Sequence, residues 1–205
     1  MSKLINLQEI ERKAYLSFFE DGLVDLLMGV WIVGIGLSLE SDRTAFIAIL
    51  PLLWLPVWAL LKKLITIPRI GVVNLTESHK KRLFQRKGIF AVLVGVVLFA
   101  SIVVFMVTQE ATPDLQALMS QYVDLFFSFL VALFIFVAGL LTGVNRWLVH
   151  AGIVMAVALA GAWLAVALPV HLLVSGGMIA FIGLGILLHF MRNNPLPEET
   201  WHERQ

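Results

Sequence analysis

Three carboxylates crowd one short stretch, Phe19-Glu20-Asp21-Gly22-Leu23-Val24-Asp25. On a helix, Asp21 and Asp25 share a face, because residues four apart are neighbours. Two carboxylates that close can bind a cation, share a proton or hold an Arg. Asp25 falls one turn inside the first long apolar stretch. An ionisable group there is costly, turns toward the bundle interior and marks a functional site by default. His150 and His189 are expected near the same depth and add imidazoles, which change charge close to neutral pH. The candidate site for an ion, a proton or an ion pair is therefore Glu20, Asp21, Asp25, Arg69, His150 and His189. Two readings stand side by side. One is a clasp in which Arg69 pairs with the acidic entrance. The other is a binding site for an ion or proton. At the opposite end, Asp124 is expected to be a charge at the interface and His171 a solvated side chain.

The residues that are missing narrow the chemistry. The chain has no cysteine, so disulfides, thiolate metal sites and a Cys nucleophile are excluded. The histidines show neither His-x3-His nor HExxH spacing, and no metal or cofactor is expected. No Gly-rich phosphate loop, GxSxG elbow or DxxDGxxAR pattern occurs; Glu20-Asp21-Gly22 matches only a fragment of the last. No acidic residue sits near the middle of any apolar stretch, which counts against a deeply buried proton-coupling carboxylate.

These residues must be positioned by membrane helices. The chain is 60% hydrophobic and 14% charged, whereas soluble domains run about 45–50% apolar and about 25% charged. Stretches of roughly 18 or more apolar residues are long enough to span a bilayer. Six are predicted, at about 22–39, 44–61, 88–108, 122–141, 147–168 and 170–191. They make residues 1–205 a single all-α membrane domain with a mobile tail over 192–205. Residues 3–19 are predicted to form an amphipathic helix, and no cleavable signal peptide is expected. Pro51 and Pro56 should kink the second span. The stretch 64–75 is rich in β-branched residues around Pro68-Arg69-Ile70-Gly71 and is predicted to be extended or a short hairpin. Thr76 or Ser78 could cap the helix that follows. An acidic loop is predicted over 109–121.

Charge fixes the expected orientation. Residues 62–87 hold eight of the fifteen Lys and Arg, and 109–121 hold none. With both termini in the cytoplasm, fourteen of the fifteen lie inside and only Arg43 outside, as the positive-inside rule requires. A multi-pass protein of the cell membrane is expected. Lys80, Lys81, Arg82, Arg86 and Lys87 lie just before the third span, where such clusters attract anionic headgroups. No nucleic-acid partner is expected, since no folded domain presents this patch. Gly152, Ala156 and Ala160 form a small-residue stripe in span five, and Gly176 and Ala180 form another in span six. Such stripes let helices pack closely, within one bundle or between copies. The shared Val-Asp-Leu at Asp25 and Asp124 admits an inverted repeat, although chance explains three residues better.

Phe19-Glu20-Asp21-Gly22-Leu23-Val24-Asp25 and Ile67-Pro68-Arg69-Ile70-Gly71-Val72 resemble signatures in a group of prokaryotic multi-pass membrane proteins without a settled activity. The resemblance implies that the acidic entrance and the Pro-Arg-x-Gly stretch belong together. Three functions fit the sequence. The first is a small transporter or channel. The second is a non-catalytic subunit or scaffold that binds a partner or anionic lipid through its cytoplasmic face. The third, a lipid-acting enzyme using Glu20, Asp21, Asp25 and a metal, ranks last because no catalytic spacing is met.

Overall fold

The computed structural model describes residues 19–41, 53–54, 56–70 and 113–196, with side chains from 122 onward in the last stretch. The described residues are helical throughout, with short turns and no strand. Among the described residues four helices are long and apolar enough to cross a membrane, which fits an integral membrane protein. They are α1 (Leu23–Glu40), the later part of α3 (Pro113–Thr142), α4 (Asn145–Trp163) and α5 (Leu168–Asn193). Their outer faces are apolar. Phe181 is 78% exposed and Trp163 86%, as suits side chains that meet lipid rather than water. The predicted first helix and third span, the cap at Thr76 or Ser78, the basic cluster 80–87 and the end of the tail lie outside the described residues. So does most of the second span.

The predicted extended segment is helical where it is described. Residues 56–61 are helical and run into a π-turn, Lys62–Thr66, and a last α-turn, α2 (Ile67–Ile70). The backbone N–H of Ile67 bonds Lys62 O, five residues back. The wider turn accommodates Pro68, which has no N–H to offer the regular ladder. Arg69 Nη1 donates to Ile65 O at 2.7 Å and satisfies a carbonyl in that interrupted turn. β-branched side chains favour strands only where a sheet receives them, and no strand lies among the described residues.

Helix ends follow turn chemistry. α3 starts at Pro113, so the predicted loop 109–121 is helical over most of its length. Its far end closes with Gly143 at φ 77°, whose N–H reaches Gly139 O at 2.9 Å. α4 ends at Trp163, five residues earlier than predicted. Val166 N–H bonds Gly161 O and Ala165 takes φ 53°, a tight reversal that lets Pro169 enter the first turn of α5.

The helices pack as two close pairs. α1 and α5 run antiparallel, and α3 and α4 form the second pair. In the first pair Gly22, Gly29 and Gly36 recur every seven residues and face Gly183, Gly176 and Pro169, also seven apart. The backbones touch there, as small residues allow in membranes. A Cβ on Gly29 would overlap the backbone nitrogen of Ala180 and lie 2.6 Å from Gly176 O. The predicted small stripe of span six therefore packs inside the chain. The stripe of span five does not: Gly152, Ala156 and Ala160 are exposed. A small core joins the pairs through Ile32, Ile135, Val154 and Ile179, each 2% exposed or less. Trp31 and Trp54 meet edge to face at 6.3 Å, placing residues 53–54 beside α1.

Candidate functional site

The acidic entrance is a built turn before it is a site. Asp21 Oδ1 accepts the N–H of Leu23 at 3.2 Å, and Gly22 adopts φ 73°. An Asx contact followed by a left-handed glycine starts α1 and fixes where Asp21 points. Its other oxygen, Oδ2, receives Lys62 Nζ at 2.5 Å and the Thr66 hydroxyl. Lys62 and Thr66 are four apart, and the π-turn aims both at this carboxylate. Asp21 is fully buried and Lys62 nearly so. Burial pushes the Lys62 ammonium below the ordinary lysine range, while its hydrogen bond and charge pairing with Asp21 pull it back only in part. The Lys62 ammonium also lies 5.9 Å over the Phe19 ring, which meets Trp147 edge to face at 6.2 Å.

Asp25 stands one turn further in and takes partners from α4. Trp147 Nε1 donates to Oδ1 at 2.9 Å, and His150 Nε2 meets the same oxygen at 3.0 Å. Arg146 Nη2 lies 2.8 Å from Oδ2 as an ion pair, without an aligned hydrogen bond. The same Nη2 donates to the carbonyl of Phe19. Asp25 is fully buried and His150 is 1% exposed, whereas the Arg146 side chain keeps 24% of its surface. Two carboxylates thus face two basic side chains, Lys62 and Arg146. An open depression lies beside it, lined by Phe19, Glu20, Gly143, Val144, Asn145 and Arg146. No protein-family model, curated protein or solved structure matches this chain.

The structure brings Asp21, Asp25 and His150 into one network and leaves the other predicted residues out of it. Glu20 is exposed on the depression. Arg69 bonds its own helix at Ile65; the cations on the two carboxylates are Lys62 and Arg146. His189 is exposed and contacts Asn193 at 2.8 Å. Sequence reasoning missed four contributors: Lys62, Thr66, Arg146 and Trp147. A usable signal was present, since Lys62 with Thr66 and Arg146 with His150 are each four apart, on one helix face.

The opposite end also differs from expectation. Asp124 Oδ2 accepts the N–H of Leu168 at 3.0 Å and so caps α5 from α3. His171, expected to be solvated, is 3% exposed and packs its ring onto Gly161, where a Cβ would overlap it. The two Val-Asp-Leu aspartates thus have unlike partners, side chains of α4 for Asp25 and a helix N-terminus for Asp124.

Proposed function

We propose that the chain is a small membrane transporter for an ion or solute, and that the Asp21–Lys62 and Asp25–Arg146–His150 network is its closed gate at the cytoplasmic end. The observation that carries this reading is the way the two helix pairs are joined. α1 and α5 are zipped backbone to backbone, and α3 and α4 pack closely, but between α1 and α4 the contact at this end is made by long polar side chains. At the other end Asp124 bonds the first turn of α5, beside the packing of His171 on Gly161. Two close pairs joined by a small apolar core, with polar bridges toward each end, suit a bundle that rocks between two states. Buried ion pairs add little stability compared with apolar packing, yet breaking one is costly, which suits a latch better than a core. The topology predicted from sequence, with fourteen of the fifteen cations inside, supports a cytoplasmic placement of the network.

Entry of solutes into proteoliposomes tests this by light scattering on osmotic challenge. The probes are sodium and potassium chloride, potassium phosphate, neutral amino acids and small sugars. At least one should enter about tenfold faster than into protein-free liposomes. Asp25→Asn should remove most of that rate, because losing the ion pair favours the open inner end by well over a factor of ten and stalls the cycle. Entry no faster than in protein-free liposomes for every probe, or a rate untouched by Asp25→Asn, overturns the reading in favour of a membrane subunit or scaffold.

A further inference from the structure

We infer that Asp124, Ser128 and His171 form a second binding site, at the end of the bundle away from the gate, for a small cation that donates N–H bonds: ammonium or a primary amine. The site stands apart from the gate reading, and its test measures binding without flux. The argument starts from two buried side chains without a partner. His171 is 3% exposed, and neither ring nitrogen has a hydrogen bond. Ser128 is 0% exposed, and its hydroxyl has none either. The other described hydroxyls are all bonded. Those of Ser38, Ser41, Thr142 and Ser175 donate to the carbonyl four residues back, each at 2.7 Å, and that of Thr66 donates to Asp21. Ser128 sits mid-helix like them and does not make this bond. Buried polar groups are nearly always bonded, so two exceptions at one place point to a partner from outside the chain.

The fold sets both at one depth. α3 and α5 run in the same direction, since Gly143 after α3 and Gly183 late in α5 both lie toward the gate. The two helices meet where Asp124 Oδ2 accepts the N–H of Leu168 at 3.0 Å. Ser128 lies four residues inward of Asp124 on the same face of α3. His171 lies three residues inward of Leu168 on α5, so both are about one helical turn, roughly 5 Å, from that contact. Gly161 of α4 fixes the His171 ring, because a Cβ there would overlap Nε2. Donors and acceptors then choose the ligand. Asp124 Oδ1 has no bond or ion pair among the described residues. With Ser128 Oγ and the lone pair of a neutral imidazole it supplies three acceptors and one negative charge. Every described Lys and Arg lies toward the gate, so that charge has no cation of its own among them. Hard metal ions prefer oxygen ligands to an imidazole nitrogen, and among the described residues no three His, Cys, Asp or Glu are grouped to hold a metal ion. A cation carrying several N–H donors matches all three acceptors.

Thermal unfolding of the full chain in a neutral detergent, followed by tryptophan fluorescence, tests this. The probes are the chlorides of ammonium, methylammonium, tetramethylammonium and sodium at equal ionic strength and pH. Tetramethylammonium has the charge but no N–H. A ligand that binds only the folded chain raises the midpoint as its concentration rises. Ammonium or methylammonium should do so, and the other two should not. Ser128→Ala removes a hydroxyl that bonds nothing in the chain, so it should leave the midpoint in sodium chloride unchanged. It should raise the ammonium or methylammonium concentration needed by about tenfold, the worth of one hydrogen bond to a charged group. Asp124→Asn keeps an oxygen for the N–H of Leu168 and should abolish the rise. Equal midpoints in ammonium, methylammonium and tetramethylammonium chloride overturn the inference and leave ordered water as the partner of both side chains. An equal or larger rise in sodium chloride, or a full rise in Ser128→Ala, overturns it as well. None of these results bears on the gate, which solute entry tests.

Discussion

Asp25→Ala should lower the stability of the chain by about 4 kcal/mol in reversible unfolding from mixed detergent micelles. Removing one partner of a buried ion pair costs about 3–5 kcal/mol, because the other charge is left uncompensated. Here the loss has three parts. Arg146 loses its carboxylate, though its partial exposure softens that term. Trp147 Nε1 and His150 Nε2 lose their common acceptor inside the protein, at about 1–3 kcal/mol for each unsatisfied buried group. Asp25→Asn keeps an acceptor oxygen for both donors and removes only the charge, so it should cost about half as much. Equal effects of the two substitutions, or a change below about 1 kcal/mol for Asp25→Ala, would mean that the network bears no stability of this size.

Gly29→Val should be comparably damaging, through packing alone. The added Cβ meets the backbone nitrogen of Ala180 and lies 2.6 Å from its Cα and from Gly176 O. These are main-chain atoms with no rotamer to change. Overpacking in a tight core typically costs about 1–3 kcal/mol even where side chains can adjust; here α1 and α5 must separate along the seam. A loss above about 3 kcal/mol, or failure to recover folded protein, is expected. Gly152→Val is the matched control, since a Cβ there meets nothing within 4 Å. It should change stability by less than about 0.5 kcal/mol. Similar behaviour of the two variants would place the α1–α5 seam elsewhere.

The residues that were legible from sequence are those whose role is local. Apolar length marked the long helices, and a carboxylate one turn inside a span marked Asp25. The partners of that carboxylate were hidden by distance along the chain. Lys62 precedes no obvious motif and counts first as one more cation in a basic segment; only the fold carries it to Asp21. Arg146 reads as a turn residue until α4 is seen to start at Asn145 and swing it toward Phe19. Arg69 was expected as the partner because the topology sets the acidic entrance alongside the basic segment, whereas a π-turn carries the helix through Pro68 and the guanidinium bonds Ile65 O. The glycine seam was readable in principle. Its seven-residue spacing in α1 and α5 is plain in the sequence, but the four-residue stripe of Gly152, Ala156 and Ala160 looks just as good and faces outward. Spacing identifies a surface suited to close packing without saying what packs on it.

A double-mutant cycle between Asp25→Asn and Arg146→Gln, followed by reversible unfolding in mixed micelles, asks most directly whether the polar network joins α1 to α4. Residues in one ion-pair network couple by about 0.5–3 kcal/mol. The 2.8 Å pair should give a coupling of about 1.5 kcal/mol, within that range, so that the second substitution costs far less once the first is made. Two effects that simply add, within about 0.3–0.5 kcal/mol, would show that the two helices are not held together there.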